Sequence, residues 1–143
     1  MKIIIRNLQK KIPISQKRIR EVILKVLSRE RRSKSGRINV CFVGDKQIKL
    51  LNSRYLHKNT PTDVIAFELS ENKKEVLADI AISTDTVERN AKIYKTSPSR
   101  ELELCVIHGV LHILGYDDNN PRNRLIMRKK EQYFLCPSIK PKP

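Results

Sequence analysis

The chain has 143 residues, of which 39% are hydrophobic, and its 30 Lys and Arg against 15 Asp and Glu give a formal net charge of +15. This length suits one domain with a substantial core, and no apolar run approaches the roughly 20 residues that span a bilayer. The charge balance favours a polyanionic partner over a small neutral substrate. We predict one domain over residues 1–136 and a flexible tail, rich in Pro and Lys, over residues 137–143.

The first half of the chain predicts strands interleaved with two helices. Residues 2–8 read as a strand, and Ser15 is placed to cap a helix whose apolar residues recur with helical spacing. Residues 38–43 predict a second strand, after which Gly44 and Asp45 begin a second helix. Residues 64–69 and 76–83 predict two strands joined as a hairpin.

The second half predicts helices. Residues 84–94 form one, and Ser97 caps a longer helix that has Pro98 at its first position. Residues 122–134 form the last. About four strands and about five helices without strict alternation predict an α+β fold, in which helices cover a mixed sheet and the long helix is central and buried.

That long helix carries the main candidate site. His108 and His112 lie four positions apart, so their imidazoles can point at one ion. Gly115 can end the helix in a left-handed conformation and allow Asp118 to fold back as an oxygen ligand. Three protein ligands leave a fourth position for water, which is the catalytic type of site. The alternative is a pair of core histidines that are bonded to backbone carbonyls.

Such a site predicts one Zn²⁺ per chain, and another divalent metal is the alternative. A bound ion would activate water and polarise a phosphoryl oxygen. Zinc peptidases with paired histidines need the pattern H-E-x-x-H, and here Gly109 occupies the place of that Glu. Gly109 either lets a bulky phosphodiester approach the ion or permits a strand to pack closely on the helix.

Basic residues cluster in the first third of the chain and predict contacts to RNA phosphates. The alternative is a solvated, charged surface. With four Tyr, three Phe and no Trp, the chain offers few stacking platforms, so we expect backbone contacts to dominate. The predicted RNA-binding residues are Lys17, Arg18, Arg20, Arg31 and Arg32.

The motif of residues 108–118, H-G-V-L-H-I-L-G-Y-D-D, resembles the H-G-x-L-H-x-x-G-Y-D-H signature of the YbeY endoribonucleases. Upstream, Leu51, Asn52, Tyr55 and the segment 61–67 resemble the family pattern L-N-x-x-Y-R…P-T-D-V-L-S-F. Residues 77–82 resemble its L-G-D-I-x-I strand. The order and spacing of these motifs agree from about Leu51 to Phe134.

Two departures from the family pattern stand at functional positions. Asp118 occupies the place of a third metal-binding His, and Leu56 that of an Arg thought to matter for activity. Arg54 or Lys58 is near enough in sequence to replace the charge missing at Leu56. For phosphate clamping and proton transfer the sequence offers Arg54, His57, Lys58, Asp63 and Asp79, of which we select Arg54, Lys58 and Asp79 as candidate catalytic residues.

The resemblance implies a zinc-dependent endoribonuclease that acts on single-stranded ribosomal RNA, including 16S 3′-end maturation and ribosome quality control. Its expected partners are ribosomal RNA and the small ribosomal subunit, and we expect a cytoplasmic monomer. Three cysteines without C-x-x-C spacing fit a reducing compartment. The alternative is a binding module that keeps the fold but has lost turnover through Leu56 and Asp118.

Overall fold

The computed structural model describes residues 1–30, 35–57, 62–71 and 74–135. Its elements occur in the predicted order, with boundaries within two residues of those expected. The predicted tail over residues 137–143 lies outside the described residues. The elements are β1 (Lys2–Asn7), α1 (Gln16–Arg29), β2 (Gly36–Val43), α2 (Asp45–Leu56), β3 (Val64–Glu68), β4 (Val76–Ser83), α3 (Thr84–Tyr94), α4 (Pro98–Ile113) and α5 (Pro121–Phe134).

Side-chain caps start the helices where the sequence predicts them. The Ser15 hydroxyl accepts a hydrogen bond from the Arg18 amide at 3.2 Å, and the Ser97 hydroxyl accepts one from the Arg100 amide at 3.1 Å. Each bond satisfies a backbone N–H that has no partner inside its helix. Pro98 occupies the first turn of α4, where no N–H is needed.

The four strands form one mixed sheet in the order β1-β2-β4-β3. β1, β2 and β4 run parallel, whereas β3 pairs antiparallel with β4. The predicted hairpin and the predicted α+β class are therefore confirmed. No helix in the described ranges is long and apolar enough to cross a membrane.

The two faces of the sheet are covered unequally. Along β4, Ile80 and Ile82 belong to the main core with α1, α4 and α5, whereas Ala81 packs on the opposite face. On that opposite face α2 contributes Ile48 to a small apolar cluster. Side chains alternate along a strand, so Asp79 lies on the same face as Ala81.

Helix α4 lies close to the sheet at Gly109. A Cβ atom on this residue would lie 3.0 Å from Ile80 Cγ2 and 3.3 Å from Val64 Cγ2. The glycine therefore permits close packing, the second of the two roles considered for it. Most α4 side chains are buried, which confirms a central, buried helix.

Candidate metal centre

The two histidines of α4 converge at the C-terminal end of the helix. His108 Nε2 and His112 Nε2 lie 3.0 Å apart. Their side chains are 21% and 32% exposed, so both rings are largely covered but open on one side. This arrangement follows from the four-residue spacing, which places both side chains on one face.

The turn after α4 brings a carboxylate to the same place. Gly115 has φ +102°, and the amides of Gly115 and Tyr116 donate to the carbonyls of His112 and Leu111 at 3.0 and 3.1 Å. These two bonds form a Schellman motif, which reverses the chain direction after a helix. The left-handed glycine predicted here is confirmed.

After this turn Asp118 faces both rings. Its Oδ2 atom lies 3.9 Å from His108 Nε2 and 4.0 Å from His112 Nε2. Ligands at zinc distances and tetrahedral angles lie about 3.4 Å apart, and the three separations bracket that value. The cluster of His108, His112 and Asp118 could therefore hold a metal ion.

A second carboxylate contacts the other ring nitrogen of His108. His108 Nδ1 lies 3.3 Å from Glu131 Oε2, and the Glu131 side chain is only 13% exposed. Because a carboxylate accepts hydrogen bonds, Nδ1 is the donor, and in the neutral form of His108 the lone pair is then on Nε2, toward His112. Metal-binding histidines are commonly oriented by such a carboxylate.

The surroundings of the two imidazoles shift their pKa values in opposite directions. Burial acts to lower the pKa of His108, but the hydrogen bond and negative charge of Glu131 raise it above its ordinary value. Burial and the positive charge of His108 lower the pKa of His112. The lowered pKa favours the neutral form of His112, the form in which an imidazole binds a metal.

Contacts beyond the cluster anchor the loop that carries Asp118. The Tyr116 hydroxyl donates to Glu30 at the end of α1, and Lys130 Nζ lies 2.8 Å from Glu30 Oε2. On the other side of the loop, Asn123 Nδ2 donates to Asp117 Oδ1 at 2.7 Å. The loop is thus tied to both α1 and α5.

The candidate catalytic residues do not all gather at this cluster. Arg54 is exposed on α2, and Asp79 faces the same side of the sheet as α2, away from α4. Lys58 lies outside the described residues. Asp63, which directly precedes β3, is near enough for its charge to help raise the pKa of His108. The structure thus brings Asp63 rather than Asp79 toward the histidines.

The predicted RNA-binding residues differ in availability. Lys17 and Arg20 are exposed on α1. Arg18 instead reaches α4, where its guanidinium lies 2.7 Å from Glu103 Oε1, so a phosphate would compete with that carboxylate. Arg31 and Arg32 lie outside the described residues.

Sequence reasoning missed Glu131. A signal was present, because Met127, Glu131 and Phe134 recur at helical spacing and Met127 and Phe134 are buried. A carboxylate within the inward-facing stripe of a helix needs a partner, and here the partner is His108.

The comparisons with known proteins agree over nearly the whole chain. The family model described as Endoribonuclease YbeY matches residues 4–137. A protein named Endoribonuclease YbeY from Syntrophus aciditrophicus is 45% identical, covering 94% of this chain and 89% of its own. One with the same name from Carboxydothermus hydrogenoformans is 35% identical over 92% and 93% of the two chains.

A solved structure agrees as well. The solution structure of a Thermotoga maritima protein matches with a TM-score of 0.60 and 28% identity, covering 92% of this chain and 85% of that one. Together with the family model and the relatives, it leads to one conclusion: this chain belongs to the endoribonuclease YbeY family.

Proposed function

We propose that the chain is a metal-dependent endoribonuclease that hydrolyses phosphodiester bonds in single-stranded ribosomal RNA, including 16S 3′-end maturation and ribosome quality control. We assign this activity to the domain of residues 1–136, acting in the cytoplasm as a monomer with the small ribosomal subunit. The observation that carries the proposal is the convergence of two imidazole nitrogens and one carboxylate oxygen within 4.8 Å of one another. The names of the relatives support an RNA substrate.

In this proposal His108, His112 and Asp118 bind one Zn²⁺. When bound, the ion supplies Lewis-acid chemistry that activates water near neutral pH and polarises a phosphoryl oxygen. Glu131 orients His108 by accepting a hydrogen bond from Nδ1, so that Nε2 is the ring nitrogen directed toward the metal site. The Asp118 side chain is 49% exposed, so the cluster is open to a bulky phosphodiester on its solvent side.

The positive charge of the chain supports a polyanionic substrate. The exposed Lys17 and Arg20 and the net charge of +15 attract phosphates, and they predict binding that weakens as salt rises. Arg54 and Lys58 remain candidates for phosphate contacts, whereas Asp79, on the face of the sheet opposite the histidines, is a candidate for substrate contact away from the metal centre. One test for Arg54 is the Arg54→Ala variant, which should lower cleavage more than binding.

A binding module without turnover is the second candidate, and one observation favours it. Leu56, at the position of the family Arg, ends α2 with a side chain that is 46% exposed. An apolar side chain there cannot clamp a phosphate as a guanidinium does. Under this alternative the protein binds ribosomal RNA but does not cut it.

One experiment separates the two candidates. Metal content per chain is measured in untagged protein and in the His112→Ala and Asp118→Ala variants, and the same samples are incubated with single-stranded RNA. Glu88→Gln is the control, since it alters a carboxylate on α3 that is paired with Lys92 and lies on a different helix from the two histidines. We expect about one zinc per chain and cleavage, both lost or weakened in the two variants only. A metal-free parent that binds RNA without cutting it would refute the proposed activity.

A further inference from the structure

A second candidate site lies on the face of the sheet opposite the metal centre. Among the described residues, helix α2 covers one end of this face, and beside it a cavity of about 750 Å³ opens over all four strands. The strand register sets four residues in a row across the floor of the cavity, one from each strand: Ile4, Asn39, Asp79 and Phe67.

The middle of the floor is polar. Asn39 Nδ2 donates a hydrogen bond to Asp79 Oδ1 at 2.8 Å, and both side chains are half-buried. Within the described part of the chain this bond uses neither Asp79 Oδ2 nor Asn39 Oδ1, so both residues that line the cavity keep an acceptor atom. Two acceptors at this place suit the exocyclic amino group of a nucleobase, which carboxylates accept in protein–nucleic acid contacts.

One wall of the cavity is aromatic. The rings of Tyr55 and Phe67 meet edge to face with centroids 5.4 Å apart, and Tyr55 is 56% exposed. Leu51 and Leu69 extend the same wall. The structure therefore gathers two of the seven Phe and Tyr residues of the chain into one platform, which the sequence alone did not predict. An exposed ring beside apolar side chains is the arrangement on which unpaired bases stack.

The other side of the cavity is basic. Arg6 lines it from β1, and the alternation of side chains places Lys2 and Arg37 on the same face, paired with each other in the register of β1 and β2. All three are exposed. Among the described residues that line the cavity, Asp79 is the one carboxylate. The site thus combines a basic edge with an aromatic wall, which complements a nucleic acid strand.

We infer that this face binds an unpaired nucleotide of the RNA substrate, with its base against Tyr55, its amino group at Asp79 and its phosphate at Arg6. The inference rests on the proposed function and deepens it, because it assigns a substrate subsite apart from the metal centre. Strand β3 joins the two places: Val64 at its start packs against Gly109 of α4, beside His108, and Phe67 near its end lines the cavity.

The test measures binding rather than cleavage. The full chain is titrated into a fluorescent, unstructured 12-nucleotide RNA, and gels verify that the RNA stays intact. Tyr55→Ala should weaken binding by about 5-fold to 150-fold, as loss of one stacked base does, whereas Tyr55→Phe should restore it. Tyr94→Ala is the matched control, because Tyr94 is 66% exposed on α3. Its dissociation constant should equal that of the parent.

Two further variants test the polar contacts. Arg6→Ala should reduce the slope of log affinity against log salt by about one, the effect of one lost phosphate contact. The parent should prefer oligo-C over oligo-U, because uracil has no amino group, and Asp79→Asn should reduce that preference.

The outcomes distinguish the subsite from the proposed function. If folded Tyr55→Ala binds RNA as tightly as the parent, the subsite is refuted, and the open face is then left to a protein partner. If the zinc-loaded parent does not cleave RNA but Tyr55→Ala still weakens binding, the proposed activity fails and the subsite stands.

Discussion

Replacing Glu131 tests whether the carboxylate behind His108 positions a metal ligand. In Glu131→Gln an amide oxygen can still accept the hydrogen bond from His108 Nδ1, but the negative charge is lost. In Glu131→Ala the acceptor is lost as well. Since the two atoms lie 3.3 Å apart and Glu131 is only 13% exposed, water replaces the lost acceptor poorly.

The size of the effect follows from this geometry. Removing an outer-shell partner of a metal ligand typically costs 10-fold to 100-fold in metal affinity, which corresponds to about 1.4 to 2.7 kcal/mol. We expect Glu131→Ala to reach this range and Glu131→Gln to fall below it, because the amide preserves the orientation of the ring.

The assay is competition for Zn²⁺ against a chromophoric chelator, with the absorption spectrum of bound Co²⁺ as a second readout of ligand geometry. Glu103→Gln is the matched control, since Glu103 is 12% exposed and pairs with Arg18 rather than with a histidine. If Glu131→Ala binds Zn²⁺ as tightly as the parent and gives the same Co²⁺ spectrum, the positioning role is refuted.

Three other predictions concern packing, acid stability and metal choice. Gly109→Ala places a Cβ atom 3.0 Å from Ile80 Cγ2, so overpacking of about 1 to 3 kcal/mol should exceed the helix-propensity gain of about 1 kcal/mol. The urea midpoint should fall, and an unchanged midpoint would count against close packing. Burial opposes the shift, but hydrogen bonds led by that from Arg89 hold the pKa of Asp45 below its ordinary value. A carboxyl with a lowered folded-state pKa stabilises the fold above its unfolded-state pKa and stops doing so as pH falls through the folded-state value. Asp45→Asn should therefore lower the free energy of unfolding at pH 6, with a smaller difference near pH 3; an equal difference at both pH values would contradict this sign. Asp118→His should increase retention of Zn²⁺ relative to Mn²⁺ in a chelator series, because imidazole favours zinc over harder cations, and equal retention by variant and parent would refute the argument.

Local chemistry made much of this protein predictable from its sequence. Ser15 and Ser97 cap helices through atoms three residues away, and the pairing of His108 with His112 needs only one helical turn. Gly115 ends α4 because a residue without a side chain adopts positive φ at little cost. The strand limits follow from the alternation of side chains and from the turn residues between strands.

What depends on distant parts of the chain was decided by the tertiary structure. Pleating requires Asp79 and Ile80 to face opposite sides, but only the packing of α4 on Ile80 shows that Asp79 faces away from the histidines. Glu131 reaches His108 across 23 positions because α5 packs on α4.

The open face of the sheet is a further feature that the tertiary structure decided and the sequence alone did not predict. Its aromatic wall and basic edge come from strands and helices far apart in sequence, and only the strand order β1-β2-β4-β3 sets them around one cavity. The physical reason is the distance along the chain over which each effect acts, because caps, turns and side-chain alternation involve only a few neighbouring residues. Which elements meet is decided by burial of apolar surface, a non-directional driving force that a local pattern does not specify.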